Sequence, residues 1–178
     1  MYLIFDTETT GLPQNWKAPL TDFSNWPRCV QLAWQLHDVD GKLLEVKNFI
    51  IKPEGYNIPF NAEKIHGIST DRANKQGMPL SQVLLEFVKD VEKCKFVIGH
   101  NVSFDNSIVG CELLRKDMLN ILANFPSLDT KDESANFCAI PGGRVGKFKW
   151  PKLTELHVKL FGDAFAEAHN ASADVEAT

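Results

Sequence analysis

The chain opens MYLIFDTETTGL, residues 1–12, an apolar run from Tyr2 to Phe5 that ends in acids at Asp6 and Glu8. An unbroken apolar run of this length suits a buried strand, and a strand ending in acids delivers them from its end. Asp6 and Glu8 are separated by one residue, so the alternation of a strand points both side chains to one face. An isolated pair of this kind is commonly two hydrogen-bonded strand-end acids. Acids and a histidine later in the chain decide whether it is more.

From Pro13 to Pro27 the sequence carries three prolines, several Asn and Asp residues, Trp16 and Trp26, and no period, which reads as an insertion-like surface loop. Val30, Leu32, Trp34 and Leu36 then alternate with less apolar neighbours, and after Asp40-Gly41 the segment Leu43 to Ile51 is again extended, so the two form an antiparallel hairpin. Pro79 opens a helix with Val83, Leu84, Phe87, Val88 and Val91 on one side. Phe96 to Ile98 is a second short buried strand, and Ser103 caps a helix through Leu114. Pro151 at a first helical position, Leu153, Leu156 and Leu160, and Gly162 as terminator define another. Strands first, then alternating helices and strands, predict an α/β fold with a mixed central sheet flanked by helices.

At 178 residues, 44% hydrophobic and 24% charged, the chain is sized for one core and one domain over residues 1–178. No apolar run approaches the roughly 20 residues that cross a bilayer, so no membrane partner is expected and the default location is cytoplasmic. Cys29, Cys94, Cys111 and Cys138 are scattered without a C-x-x-C pair, against a zinc site or a dense disulfide framework. The net charge of −4 is unlike that of a protein gripping a long duplex. An enzyme holding only a strand end differs, because its carboxylates can recruit cations that meet the phosphate.

Two later segments bear on the acids. Asn101-Val102-Ser103-Phe104-Asp105 lies just beyond the second short strand, where open α/β sheets place ligand sites. Asp105 there falls in the first turn of a helix, as a cap or as a metal ligand. His169-Asn170-Ala171-Ser172-Ala173-Asp174 sets a histidine five positions before an acid. If Asp6, Glu8, Asp105 and Asp174 came to one site they would repel unless cations occupied it, and hard cations suit oxygen ligands. Two ions about 4 Å apart can bind both the attacking water and the departing oxygen of a phosphodiester. His169, with a reference pKa near 6.5, can take the water's proton.

D-T-E-T-T-G-L (Asp6–Leu12), H-N-V-S-F-D (His100–Asp105) and H-N-A-S-A-D (His169–Asp174) resemble, in order and spacing, the three motifs of the DEDDh, or DnaQ-like, 3′-5′ exonuclease family. Ile65-His66-Gly67-Ile68 and Leu128-Asp129-Thr130 resemble two of its minor elements. The resemblance implies an RNase H-like fold, two divalent ions, Mg2+ or Mn2+, held by Asp6, Glu8, Asp105 and Asp174, and His169 as general base. It further implies that Thr9, Thr10, Gly11, Leu12, His66, Asn101 and Phe104 line the pocket for the terminal nucleotides. Leu12, Phe104 and His66 also have bland readings, as packing residues and a turn.

Arg144 through Lys152 is basic and aromatic, either a guide for the strand or a solvated loop. His100 and His157 are read as structural. The Pro13 to Pro27 loop is longer than the family's connection; it reads as a surface loop with one anchored Trp, the alternative being a cover over substrate or a partner contact. The chain stops at Thr178, four residues past Asp174, which leaves open a domain truncated within its C-terminal helix. The leading expectation is a proofreading-type DNA exonuclease similar to the epsilon subunit of bacterial DNA polymerase III, acting on single-stranded or frayed 3′ ends, with a DNA polymerase subunit as a candidate partner that the sequence leaves open. An RNA-trimming exoribonuclease and a non-catalytic nucleic-acid-binding module are the alternatives.

Overall fold

The computed structural model describes residues 1–142, 147–166 and 168–178. Five strands, β1 (Tyr2–Thr9), β2 (Cys29–His37), β3 (Leu43–Ile50), β4 (Val97–Gly99) and β5 (Ser127–Asp129), form one sheet in the order β3-β2-β1-β4-β5. β1, β2 and β3 pair antiparallel, whereas β4 runs parallel to both β1 and β5. The sheet is therefore mixed, with the acid-bearing strand at its centre. The helices among the described residues are α1 (Phe60–His66), α2 (Thr70–Gln76), α3 (Leu80–Val91), α4 (Val102–Arg115), α5 (Thr130–Cys138), α6 (Leu153–Phe161) and α7 (Ala171–Ala177).

The two faces of β1 are covered by different helices. Leu3 and Phe5 join Leu32, Trp34 and the buried residues of α3 and α4 in the main core. Ile4, on the opposite face, packs with Ala33 and with Ala171 and Val175 of α7. Alternation along β1 carries this division to the end of the strand: Asp6 and Glu8 share the α7 face, while Thr7 points toward α4.

β2 breaks step beside those acids. Glu8 pairs with Gln31 but Thr9 with Cys29, so Val30 is left over as a bulge residue. Val30 turns into a smaller core with Ile58, Ala62, Ile68 and Ala73, which seats α1 and α2. Neither helix is expected from periodicity, because each spans seven residues and buries at most two of them.

β1 carries both acids near its end and runs on to Thr9, as their alternation requires. Two boundaries differ from the sequence expectation. Ser103 does not cap α4: the N-cap is Asn101 in the left-handed region, φ 74°, and its side chain makes no capping bond. Pro151 precedes the N-cap Lys152 of α6 and is not its first helical residue. Gly162 does end α6, with φ 89°.

Candidate active site

Asp6 and Glu8 from β1 and Asp174 from α7 meet at one point, each offering an oxygen, with these atoms all within 4.8 Å of one another. The strand spacing supplies the first two. The third comes from packing Ala171 and Val175 on Ile4 and Ala33, small side chains that let the helix approach the sheet closely. Asp105 arrives from the other layer, where one oxygen accepts from the Thr7 backbone N–H at 3.0 Å and from its hydroxyl at 2.6 Å. Thr7, the middle residue of the D-T-E triplet, thus fixes the fourth acid on the α4 side, outside the close group formed by the other three.

Crowding these acids in a buried place raises their affinity for protons. Burial, then the charges of Asp105, Asp174 and Glu8, lifts Asp6 well above the ordinary carboxylate range. Glu8 is pushed up to about 8 by burial and by Asp174 and Asp105. Burial takes Asp105 to about 7 against the opposing Thr7 hydrogen bonds. Asp174 is raised by burial, which the backbone N–H and charge of His169 partly oppose. An all-oxygen donor set whose members resist ionising together fits divalent cations, which would discharge the repulsion.

α7 is held in place by side chains that the sequence pattern does not single out. The buried Gln31 amide donates to Asn48 Oδ1 at 2.8 Å and to Asn170 Oδ1 at 3.3 Å, and its oxygen accepts from the Ala171 N–H at 3.3 Å. Asn170 caps the helix by accepting from Ser172 N. His169 is exposed, at φ 71°, and its backbone N–H donates to Asp174 Oδ2 at 3.2 Å. Only a glutamine in an alternating strand marks Gln31 in the sequence, and burial of its amide is a tertiary fact.

Beside Glu8 opens a cavity of about 460 Å³, lined by Thr7, Glu8, Thr9, Thr10, Gly11, Leu12, Pro59, Asn61, Ala62, Ile65, His66 and Phe104. Six of the seven pocket residues expected from the motifs are in this lining. Asn101 is elsewhere: its N–H donates to Asp129 Oδ1 and its side-chain oxygen accepts from Lys131 Nζ at 2.7 Å. His66 is buried, Nδ1 accepts from the Ile68 N–H, and Nε2 has no well-formed hydrogen bond although the Thr9 backbone faces it. Burial lowers the pKa of this ring. With Nδ1 an acceptor, the neutral ring carries its proton on Nε2, buried and turned toward the Thr9 backbone.

His100 is held between Thr130 Oγ1 and the Pro151 carbonyl, and His157 by the Asp163 carbonyl. In the basic stretch, Arg144 lies outside the described residues. Lys149 pairs with Glu155, and Trp150 is exposed with Lys131 Nζ 4.6 Å from its ring centroid. All four cysteines are free, and no described helix is long and apolar enough to cross a membrane.

Among solved structures, the fold is similar to that of E. coli exonuclease I in complex with a dT13 oligonucleotide, with a TM-score of 0.78 and 23% identity over 99% of this chain and 39% of that one. The dA16 complex of the same enzyme gives 0.76 and 23% over 99% and 38%. Its zinc-ion-bound complex with single-stranded DNA gives 0.76 and 23% over the same shares, 99% and 38%. The chain thus spans about two fifths of the length of the exonuclease I chains it matches. No curated protein sequence matches it. Residues 3–178, nearly the whole chain and both acid-bearing elements of the cluster, match the RNase_T exonuclease family, and the chain belongs to that family.

Proposed function

We propose that the chain is a 3′-5′ exonuclease that hydrolyses the terminal phosphodiester of single-stranded or frayed DNA, with two divalent ions, Mg2+ or Mn2+, held by Asp6, Glu8, Asp105 and Asp174. The observation that carries this reading is the convergence of Asp6, Glu8 and Asp174 in an exonuclease-family chain, with Glu8 also lining a cavity of about 460 Å³. When bound, such an ion pair supplies Lewis-acid stabilisation of the phosphodiester and lowers the pKa of the attacking water.

The chain's own groups do the rest. Thr7 orients Asp105, and Gln31 and Asn170 fix the helix carrying Asp174. His169, tethered by its backbone to Asp174, is exposed and able to take the proton of the attacking water and pass it to solvent. The Thr9–Leu12 wall, His66 and Phe104 receive the terminal nucleotide. DNA is favoured because the exonuclease I structures of similar fold hold DNA oligonucleotides. A proofreading role beside a polymerase rests on the motif resemblance alone.

End-labelled single-stranded DNA, RNA and mismatched duplex, each incubated with and without magnesium, test the proposal. It expects metal-dependent loss of single nucleotides, fastest on single-stranded DNA. Faster trimming of RNA would reassign the substrate, and binding without hydrolysis in Mg2+ or Mn2+ would leave a binding module.

A further inference from the structure

We propose that Trp16, on the loop between β1 and β2, forms a stacking subsite for the base adjoining the terminal nucleotide of a single strand; the inference rests on the exonuclease reading. The loop is built as a fixed part. The Trp26 indole is buried and donates to the Pro19 carbonyl at 3.2 Å. Arg115, paired with the buried Glu112, donates to the carbonyls of Phe23, Trp26 and Pro27. The Asn25 side chain accepts from the Asn15 N–H at 2.7 Å and donates to the Asn15 carbonyl at 3.0 Å.

On this scaffold Trp16 is 56% exposed, a large apolar face left in water by a loop otherwise well tied down. Its ring centroid lies 5.6 Å from that of Phe104, tilted by 48°. Phe104 in turn lines the cavity proposed for the terminal nucleotide, so Trp16 extends that wall outward. The ligand that reaches both is one that enters the cavity and continues out of it, which a single strand does and a docked protein need not. Lys17 beside it is exposed and forms no ion pair among the described residues, so a cation is available for the phosphate of the same strand. Aromatic stacking of this kind accepts any base, because every base offers a π-face.

Steady-state kinetics on two single strands tests the subsite, one intact and one abasic at the nucleotide next to the 3′ end. On the intact strand Trp16→Ala should raise KM about tenfold, within the range for loss of one base–aromatic stack, with kcat within about twofold, and Trp16→Phe should restore most of the loss. On the abasic strand wild type and Trp16→Ala should have equal KM values. An unchanged KM for Trp16→Ala on the intact strand would overturn the subsite. So would a penalty of the same size on both strands, which would mark a role in folding the loop. A wild-type protein that hydrolyses neither strand in Mg2+ or Mn2+ would overturn the exonuclease reading itself.

Discussion

Glu8 carries a proton to unusually high pH, and that has a consequence for stability. Burial and the neighbouring Asp174 and Asp105 push it from 4.5 to about 8 in the folded protein. The folded state therefore binds more protons than the unfolded chain between those values, and its stability is full below the lower one and falls as pH rises through about 8. Melting in EDTA from pH 5 to 9 should show a falling Tm, with a shallower descent for Glu8→Gln; a Tm that rises over that range would contradict the assignment. Divalent ions compete with these protons, so Mg2+ binding near pH 7 should release protons, seen as a dependence of calorimetric heat on buffer ionisation enthalpy. His169 acts in the proposal without holding an ion. His169→Gln should lower kcat about 10²- to 10⁴-fold while calorimetry still records divalent binding, and normal turnover would assign the proton to another group. At this scale the sequence is informative where chemistry is local: Asp6 and Glu8 can be placed on one face by counting. The direction in which Asp105 is held cannot, since Thr7 reaches it across 98 positions.

Among the elements, α7 is where packing and chemistry meet. Seven residues make a marginal helix on their own. It is stabilised by Ala171 and Val175 on the sheet and by the Gln31 amide at its N-terminus. Gln31→Ala removes both of those polar contacts and leaves the buried Ala171 N–H unpaired, at a cost of about 1–3 kcal/mol. Thermal melting should show that loss, and activity should require more Mg2+ than the wild type because Asp174 is less firmly placed. An unchanged Mg2+ requirement would mean that α7 holds its position without Gln31. The long elements are legible from pattern: the β2–β3 hairpin from its alternation, α3 from one apolar side, α6 from Gly162. α1, α2 and the bulge at Val30 are not, because short helices carry one apolar turn at most and a bulge leaves no periodic trace. The caps of α4 and α6 depart from expectation for a related reason: Ser103 and Pro151 are good cap and first-turn residues, yet a neighbouring residue takes the N-cap position in each helix.

For the molecule as a whole, the three motifs point to the family and its fold, whereas the Trp16 loop and the net charge of −4 bear on how a strand is received. A site that accepts one terminal nucleotide beside a buried acid cluster needs that nucleotide unpaired, which costs a few kcal/mol and least at a mismatch. With 19 Lys and Arg against 23 Asp and Glu, the chain has no excess of cations with which to offset the cost by gripping duplex phosphates. A mismatched 3′ end should therefore be trimmed faster than a matched one in the same duplex, the gap narrowing as temperature rises; equal rates at low temperature would contradict this. The central claim, that the clustered acids hold the ions of a 3′-5′ exonuclease, is tested most directly with a 5′-labelled single strand resolved by length over time. Wild type in Mg2+ should give a ladder shortening by one nucleotide from the 3′ end, abolished in EDTA and in Asp6→Ala, whose metal-free Tm should hold or rise as repulsion is relieved. A wild-type rate in Asp6→Ala at saturating Mg2+, or cleavage within a circular strand, would contradict it.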